Sequence, residues 1–335
     1  MTQTAPGTTS DHNGATRVPG MDRDAPAAIG LAAQAQRPTW SRYRRWETAM
    51  PYLLVAPVLI IVGVFVYWPL VYSIYLSFFD WNFVSPVKQF VGFDNFTRVA
   101  ADPRFHRALH GTLVYIVALV PAQVFVPLAL AMLLWPVRRS RAQAFYRVTL
   151  FSPTVISFSV AALLWLWIFN PLQGVLNKVI FDLGYGKVNW LSNPNTAIWC
   201  VIVVSIWKTI GFNLLLYLAA LEAVPTDYIE AASLDGASGW QLFRRIRFPL
   251  ITPTFFFVLV TTVISVNDEV FGAINVMTDG GPFDRSSNIV YYLYEQGFRM
   301  FQIGSASAVS LLIFIGTAIL TWVQFRFVER RVHYG

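Results

Sequence analysis

Six long apolar runs divide the sequence and restrict what the chain can fold into. Each holds about 20 residues or more, the length that an α-helix needs to cross a hydrocarbon core about 30 Å thick. The runs are continuous and do not alternate with a period of two, which indicates helices and not the strands of a membrane barrel. They lie at about 51–79, 111–135, 148–169, 195–220, 249–274 and 303–325. We therefore expect an all-α integral membrane protein with six transmembrane helices.

Composition and charge agree with the prediction of an integral membrane protein. Hydrophobic residues make up 56% of the chain and charged residues only 13%, whereas charged residues make up about 25% of an ordinary soluble domain. Lys and Arg accumulate in cytoplasmic connections, so the formal charge of +7 is read as topology and not as nucleic-acid binding. The arginines that mark the predicted cytoplasmic side are Arg37, Arg42, Arg44, Arg45, Arg138, Arg139, Arg141, Arg147, Arg244, Arg245, Arg247, Arg326, Arg330 and Arg331. Both termini are therefore expected to be cytoplasmic.

The chain outside the apolar runs divides into two predicted parts. Residues 1–36 are rich in Ala, Thr, Gly, Pro and Asp, which is typical of a disordered tail, and no cleavable signal peptide is visible. Residues 37–335 form the predicted transmembrane domain. Cys200 is the only cysteine and lies in the fourth run, so we expect no intramolecular disulfide and no metal-binding cluster.

A polar, helix-forming segment, residues 225–248, separates the fourth and fifth runs. Two cap-like pairs, in which Glu or Gln follows a cap residue by three positions, predict two helix starts there: Asp227 with Glu230, and Ser238 with Gln241. Gly236 lies between the pairs and predicts the end of the first helix. We therefore expect two short helices set at an angle by a glycine turn, the second carrying Trp240, Phe243 and Ile246.

The spacing of this segment resembles the cytoplasmic coupling loop of permease subunits in binding-protein-dependent ABC importers. Three residues separate Glu230-Ala231-Ala232 from Gly236, nine more precede Ile246, and one more precedes Phe248-Pro249. Phe248 stands where the family usually has Leu. The resemblance implies a type I ABC importer permease fold, in which this loop is a lever in the groove of a separate ATPase subunit. It implies a coupling role for Glu230, Ala231, Ala232, Asp235, Gly236, Ala237, Phe243, Ile246 and Pro249.

Weaker motifs extend the resemblance to carbohydrate importers over most of the chain beyond the tail. They occur in the expected order at 51–57, 90–96, 207–213 and 278–282. The C-terminal run at 323–332 looks most like permeases that import glycerol-3-phosphate and glycerophosphodiesters such as glycerophosphocholine. Permeases for disaccharides such as trehalose or maltose share most of these features, so a disaccharide substrate is the alternative.

The sequence offers no residues for catalysis. A phosphate-binding loop ends in Gly-Lys-Ser/Thr, but the only Gly-Lys pair, Gly186-Lys187, is followed by Val188. The four histidines lie in the tails or near the predicted outer surface, and no Ser-His-Asp site is apparent. We therefore expect a subunit that is not an enzyme and holds no cofactor or metal. The resemblance implies that two partner ATPase subunits bind ATP and Mg.

A few polar residues interrupt the apolar runs and are candidates for a substrate pathway, since a charge that faces lipid costs several kcal/mol. They are Lys208, Asn213, Asn267, Asp268 and Glu269. Consecutive helical positions point about 100° apart, so at most two of the last three can face one pathway. Two structural alternatives stay open: Lys208 pairs with Asp268 or Glu269 merely to hold helices together, and Asn213 forms an interhelical hydrogen bond.

The resemblance also implies partners and a location. The partners are a second permease subunit, an extracytoplasmic substrate-binding protein and membrane lipid, and the location is the bacterial plasma (inner) membrane. A rival of another class is a secondary transporter driven by an ion gradient, in which Asp268 and Glu269 carry protons or sodium ions. The coupling-loop spacing and the small number of spans argue against that rival.

Overall fold

The computed structural model describes residues 40–136 and 140–327. The predicted tail at 1–36, Arg138, Arg139 and residues 328–335 lie outside these described residues. The chain divides into two compact units, with the division after Tyr67.

In the described part of the first unit, residues 40–67, helix α1 (Trp40–Val62) is followed by a π-helical turn at Gly63–Tyr67. No residue from 50 to 67 is buried within the chain. These residues fall in the first of the helices that are long and apolar enough to cross a membrane, Met50–Leu76. The apolar run predicted at 51–79 therefore forms a helix as expected.

The second unit starts with α2 (Trp68–Leu76) and a short antiparallel ribbon, β1 (Phe79–Asp80) and β2 (Gln89–Phe90), in which Phe79 pairs with Phe90. Its further helices are α3 (Asp94–Ala101), α4 (Pro103–Leu134), α5 (Arg141–Val155), α6 (Phe158–Ile168), α7 (Val175–Asp182), α8 (Ala197–Glu222), α9 (Thr226–Leu234), α10 (Gly239–Leu242), α11 (Phe248–Met277), α12 (Ile289–Tyr294) and α13 (Ile303–Phe327). Two more π-helical turns, Phe243–Arg247 and Glu295–Arg299, follow α10 and α12.

Helix α4 begins eight residues before the run predicted at 111–135 because its cap lies in a polar stretch. The Asp102 carboxylate accepts a hydrogen bond from the backbone N–H of Arg104 at 2.8 Å, and Pro103 occupies the first helical position. Proline suits that position because its ring fixes φ and no N–H is lost there. Helices α8, α11 and α13 match the fourth, fifth and sixth predicted runs within about three residues at each end.

The third predicted run, 148–169, is not one straight helix. It falls on α5 and α6, whose axes differ by 104° across a short break. Ser157 starts α6, since its hydroxyl accepts a hydrogen bond from the Val160 N–H at 3.2 Å. Within the described ranges, five helices are long and apolar enough to cross a membrane, or six if this bent pair is one span. The all-α membrane fold is thus confirmed, with a break that the apolar pattern did not reveal.

The core of the second unit is built where α4, α8 and α11 pack together, with α5 and α6 against them. Tyr115, Val201, Val266 and Ile274 are fully buried in its largest cluster. At Gly211 the α8 backbone passes so close to α5 that an added Cβ would lie 2.1 Å from the Leu150 carbonyl oxygen. This crossing fixes α8 against the bent pair.

The close crossing predicts that Gly211→Ala destabilises the fold, because the new methyl group must push two backbones apart. We expect a loss of about 1–3 kcal/mol, the usual cost of overpacking, measured as a lower thermal midpoint of the purified protein in detergent. Gly316→Ala in α13 is the matched control, because its added Cβ meets no atom within 4 Å. Equal midpoints for the two variants would contradict the crossing.

Candidate functional site

The polar segment at 225–248 begins with α9, which has no buried residue. Its cap differs from the prediction: Pro225 is the cap residue, Asp227 lies inside the first turn, and no side chain caps the helix. Proline does not continue the preceding helix, and at the start of a new helix its missing backbone N–H costs no helical hydrogen bond. The prediction that Asp227 and Glu230 form a capping pair is therefore wrong, although the helix predicted from that pair is present. Asp227 can still stabilise the first turn, where the helix dipole favours negative charge.

The end of α9 is a tight glycine turn, as predicted. Gly236 has a φ of +77°, a conformation that glycine adopts without the penalty of a Cβ. The Ala237 N–H donates to the Ala232 carbonyl at 3.0 Å, and the Gly236 N–H donates to the Ser233 carbonyl at 3.1 Å. Together these two bonds form a Schellman motif, which satisfies the last carbonyls of the helix.

The second half of the segment starts as predicted and then departs from the prediction. Ser238 and Gln241 form a reciprocal capping box, with hydrogen bonds of 2.8 and 3.3 Å. The helix does not stop after one or two turns, however. It runs as one helical stretch, Gly239–Met277, through the π-helical turn and into α11. The segment is thus one short helix and the projecting end of a long one.

The segment presents a mixed surface of charged and large apolar side chains. Leu234 is 90% exposed, Tyr228 and Trp240 are also exposed, and Glu230 and Asp235 lie beside them. Phe243 is buried and contacts Trp240 and Phe248. The exposed basic residues are Arg244 and Arg245, whereas Arg247 lies over the Trp135 ring at 5.4 Å.

A cavity of about 220 Å³ lies among α4, α5, α6, α8 and α11. Lys208, Asn213 and Glu269, three of the predicted pathway residues, contribute to its wall together. The other lining residues are Gln123, Thr154, Phe158, Thr209, Phe212, Thr261, Thr262 and Ser265. A cavity with this many hydrogen-bonding groups within the candidate membrane spans is suited to a polar ligand.

Lys208 is buried in the cavity wall and is held by α5 and α6. Its Nζ donates to the Thr154 carbonyl at 3.2 Å and lies 4.6 Å from the centre of the Phe158 ring. The Thr154 hydroxyl in turn donates to the Lys208 carbonyl at 3.0 Å. One backbone carbonyl leaves two of the three ammonium N–H donors for a ligand or water.

Glu269 lies across the same cavity and accepts from two other side chains. The Ser265 hydroxyl donates to one carboxylate oxygen at 2.7 Å, and the Gln123 amide donates to the other at 3.4 Å. Among the described residues, Lys208 forms no ion pair within 4.0 Å with Asp268 or Glu269, but an electrostatic interaction acts between Lys208 and Glu269. The interpretation of Lys208 as part of a charge pair that holds helices together stays a prediction. Both charged residues line the same cavity.

Asn213 forms the interhelical hydrogen bond that the sequence left as an alternative. Its amide donates to the Gln123 carbonyl at 2.9 Å and joins α8 to α4. Gln123, Thr154 and Ser265 were missed by the sequence reading. The one available signal was the Gln123 amide in the middle of an otherwise apolar run.

Asn267 and Asp268 lie away from the cavity. The Asn267 carbonyl accepts a hydrogen bond of 2.9 Å from the Asn288 amide, which ties α11 to the start of α12. Asp268 is exposed and is absent from the residues that line the cavity. Only one of the three consecutive polar residues, Glu269, thus faces the cavity, in agreement with the angular limit on helical neighbours.

An ion cluster joins α4 to the loop and turn between α11 and α13. Arg104 donates to Glu295 at 2.5 Å, Arg107 donates to Asp284 at 2.9 Å, and Arg299 donates to Asp279 at 2.6 Å. The Arg299 hydrogen bond is the main cause that lowers the pKa of Asp279, and a Tyr291 hydroxyl on the same oxygen adds to it. Burial raises the pKa of Glu295, and Arg104 offsets part of that rise.

No group of three or more His, Cys, Asp or Glu side chains suited to a metal ion occurs in residues 40–136 and 140–327.

The sequence matches a known family of membrane transport proteins. Residues 98–334 match the family described as binding-protein-dependent transport system inner membrane component. That match covers well over half of the chain, and the chain belongs to this family. It is thus a multi-pass membrane permease of a binding-protein-dependent ABC transport system.

The chain is also similar to individual transport proteins and to a solved structure. The chain is 37% identical over 288 residues to the sn-glycerol-3-phosphate transport system permease protein UgpA of Agrobacterium fabrum, covering 85% of this chain and 97% of that protein. It is 35% identical over 291 residues to the protein of the same name from Escherichia coli, covering 87% and 96%. Among solved structures, a bacterial ABC transporter that imports the acidic polysaccharide alginate has a chain 25% identical, with a TM-score of 0.76 and coverage of 87% and 98%.

The ion cluster predicts an acid-sensitive contribution from Asp279. Because its folded-state pKa is lowered, the ionised carboxylate stabilises the fold above its ordinary pKa of about 3.9, and this contribution is lost as pH falls through the lowered value. The measurement compares thermal midpoints of the wild type and Asp279→Asn across acidic pH. We expect the gap between them to close as pH falls.

Removing the main cause of the shift should move this closure. With Arg299→Gln, the pKa of Asp279 rises toward its ordinary value, and the gap should close at higher pH. Asp80→Asn serves as the control, because Asp80 lies 3.7 Å from Arg98 in a looser pair, whereas Asp279 accepts hydrogen bonds from both Arg299 and Tyr291, and loose surface pairs contribute little. A gap that is the same with and without Arg299 would contradict the assignment.

Proposed function

We propose that this chain is the membrane-spanning permease subunit of an ABC importer for glycerol-3-phosphate or glycerophosphodiesters. The observation that carries the proposal is the buried Lys208 ammonium with free donors in a polar cavity within the candidate membrane spans. A cation at that depth costs free energy, so a charged residue there usually has a function. A phosphate group is a strong acceptor for the remaining N–H groups of the ammonium. The two relatives named for glycerol-3-phosphate transport support the same substrate class.

The rest of the cavity fits the remainder of such a substrate. Gln123, Ser265 and the threonines of the wall offer donors and acceptors to glycerol hydroxyls. Glu269 would repel a free phosphate placed beside it, so the phosphate belongs at the Lys208 side. In a diester such as glycerophosphocholine, the cationic end would lie toward Glu269. Asn213 contributes mainly by holding α8 against α4 next to the cavity.

Family membership supports the proposed partners and location. The chain would pair with a second permease subunit and two ATPase subunits, which bind ATP and Mg, and would receive substrate from an extracytoplasmic binding protein. It would hold no cofactor and hydrolyse no ATP itself, as its lack of a Gly-Lys-Ser/Thr motif supports. Both termini and the 225–248 segment would face the cytoplasm of a bacterium, with the arginine distribution as support.

The 225–248 segment would transmit the ATPase motion. Its exposed Glu230, Arg244 and Arg245 offer charged contacts, while Leu234 and Trp240 offer apolar ones. Because the second half continues without a break into α11, a push on the segment would reach Glu269 through one helix. This continuity gives the lever a direct connection to the cavity.

A disaccharide is the second candidate substrate, and one observation favours it. Glu269 accepts hydrogen bonds well, and a neutral sugar would offer hydroxyls to it without repulsion. The ion-gradient rival of another class rests on the same carboxylate and on Asp268.

Reconstitution tests the substrate and the mechanism together. The chain is assembled with its second permease and ATPase subunits, and ATPase activity is measured with binding protein loaded with glycerol-3-phosphate, glycerophosphocholine, trehalose or maltose. We expect stimulation only by the phosphate-containing ligands. Stimulation by a disaccharide alone would overturn the substrate. Two results together would favour the gradient-driven rival. No ligand would stimulate ATP hydrolysis in an assembled complex, and uptake would collapse when an uncoupler is added while the ATP concentration is clamped.

Lys208→Met tests the cavity. Loss of a charge-assisted hydrogen bond should raise the KM for glycerol-3-phosphate uptake by about tenfold or more, whereas Lys208→Arg should retain part of the affinity because the cation remains. Lys178→Met, at an exposed lysine of α7, is the matched control. An unchanged KM in Lys208→Met would remove Lys208 from the substrate site.

Gly236→Val tests the lever. No atom lies within 4 Å of the added Cβ, so the change acts through the backbone, where φ is +77°. A β-branched residue is strained there by roughly 1–2 kcal/mol, and the turn should open. We expect normal insertion in the membrane and ATP hydrolysis that no longer drives uptake.

Gly236→Asn is the control for the same position, since Asn tolerates a left-handed conformation. It should keep most of the uptake. Wild-type uptake by Gly236→Val would refute the lever.

A further inference from the structure

The hairpin that joins α2 to α3, residues 79–90, carries several exposed apolar side chains. Phe83, Val84, Val87 and Phe90, here called the apolar tip, are each more than half exposed, and Val84 is 82% exposed. Large apolar side chains that are exposed together in one short segment mark a contact with a partner or with a membrane. The hairpin therefore has a surface that water alone does not explain.

The loop of the hairpin is held by hydrogen bonds of its own. The Asn82 side-chain oxygen accepts from the backbone N–H groups of Val84 and Ser85 at 3.2 and 2.8 Å. The Trp81 indole donates to the Ser85 carbonyl at 2.8 Å. Phe83 has a φ of +61°, a conformation that persists in an aromatic residue only where the surrounding structure holds it. The apolar tip is therefore presented by a formed turn.

The base of the hairpin lies level with the start of the last span. The N–H of Ile303, the first residue of α13, donates to the Trp81 carbonyl at 3.0 Å. A Cβ added at Gly304 would lie 2.1 Å from the Phe79 carbonyl oxygen, so the two backbones are in direct contact. The span Ile303–Arg326 has 24 residues and is about 36 Å long, little more than a hydrocarbon core of about 30 Å. Its first residue, and with it the hairpin base, therefore lies at the membrane boundary.

Lys88 holds the returning half of the hairpin against the first span. Its ammonium donates a hydrogen bond to the Tyr72 hydroxyl. The same Nζ lies 4.9 Å from the centre of the Tyr72 ring and 4.6 Å from the centre of the Trp81 ring. Tyr72 precedes Leu76, the last residue of that span, by four positions, which is about 6 Å back along the helix axis. The hairpin thus lies beside the end of the span and does not project away from the membrane.

Phospholipid is the cover that fits this surface. Trp and Tyr gather at the boundary between hydrocarbon and headgroups, and Lys lays its apolar stem along such a surface while its ammonium reaches the headgroups. Among the described residues, the Tyr72 hydroxyl is the one hydrogen-bond acceptor of Lys88, which leaves two of three N–H donors for a phosphate. The apolar tip also continues directly from a span that hydrocarbon surrounds.

We propose that the hairpin inserts into the membrane surface at which α13 begins, with the apolar tip among the upper acyl chains and the Lys88 ammonium in the phosphate layer. The helical stretch Gly239–Met277 starts in the 225–248 segment and ends before α13 begins, so this surface is opposite that segment. The inference goes beyond the proposed function, because it requires only that the chain spans a membrane.

A single labelled thiol tests the insertion. Cys200 is the only cysteine and is buried, so Cys200→Ala provides the background. Val84→Cys is labelled with an environment-sensitive maleimide fluorophore, and the full chain is reconstituted in vesicles of phosphatidylcholine and phosphatidylglycerol. We expect blue-shifted emission that is mostly lost when the vesicles contain phospholipid with a nitroxide near the top of its acyl chain. Iodide present on both sides of the membrane should have little effect.

Leu234→Cys in the same background is the matched control, because Leu234 is also a largely exposed aliphatic residue but lies in the polar 225–248 segment. Its label should be quenched by iodide and not by the nitroxide lipid. Size-exclusion profiles and thermal midpoints of the labelled chains report folding, and Val87→Cys repeats the measurement at a second position of the apolar tip. Quenching of both tip labels by iodide and not by the nitroxide lipid would overturn the inference.

The same measurement in the assembled transporter separates lipid from protein as the cover. Quenching of the Val84→Cys label by the nitroxide lipid should persist with and without loaded binding protein. Loss of this quenching on assembly would assign the apolar tip to another subunit, and loss on addition of the binding protein would assign it to that protein. Either result overturns the inference and leaves the proposed function standing, because neither involves the substrate.

Lys88→Glu tests the position of the ammonium. A carboxylate is repelled by lipid phosphates, so this change should shift the emission of the Val84→Cys label to the red and lower its quenching by the nitroxide lipid. Lys187→Glu, the same change at an exposed lysine outside the hairpin, should leave both unchanged. Equal spectra for the two variants would overturn the placement of Lys88 in the phosphate layer.

Discussion

The bilayer supplies no hydrogen-bond partners, and this constraint organises the structure. Every polar group placed among the membrane spans must find its partner in the protein or have a ligand to meet. Asn213 meets the requirement with the Gln123 carbonyl, and Glu269 meets it with Ser265 and Gln123. Lys208 meets it only in part, with one backbone carbonyl. This incomplete satisfaction of Lys208 is the basis of the proposal that the cavity binds a ligand.

One helix connects the cavity to the exposed segment at 225–248. Helix α11 carries Glu269 in its wall-lining stretch and is continuous with α10 through a π-helical turn. One continuous helix thus runs from the second half of the segment to the cavity wall. On the other side, α8 is pressed against α5 at Gly211, three residues from Lys208. A displacement of either helix changes the distance between the two charges.

Local sequence patterns predicted the elements better than their ends and connections. The Ser238–Gln241 capping box and the Gly236 turn were confirmed because each depends on a few adjacent residues. The Asp227 cap failed because Pro225 starts the helix two residues earlier. The 104° break between α5 and α6 was missed because both halves are apolar, and hydropathy reports composition and not direction. Gln123 was missed because one amide in an apolar run forms no recurring pattern.

The sequence by itself determined the membrane fold, the approximate bounds of the apolar runs, and the family, since each depends on composition and on the spacing of neighbouring residues. Only the tertiary structure decided which polar residues meet. It brought Lys208, Gln123 and Glu269 from three helices to one cavity and left Asp268, the neighbour of Glu269, exposed and outside the cavity lining. The reason is physical: adjacent residues on a helix point about 100° apart, and helix rotation is fixed by packing such as the close approach at Gly211.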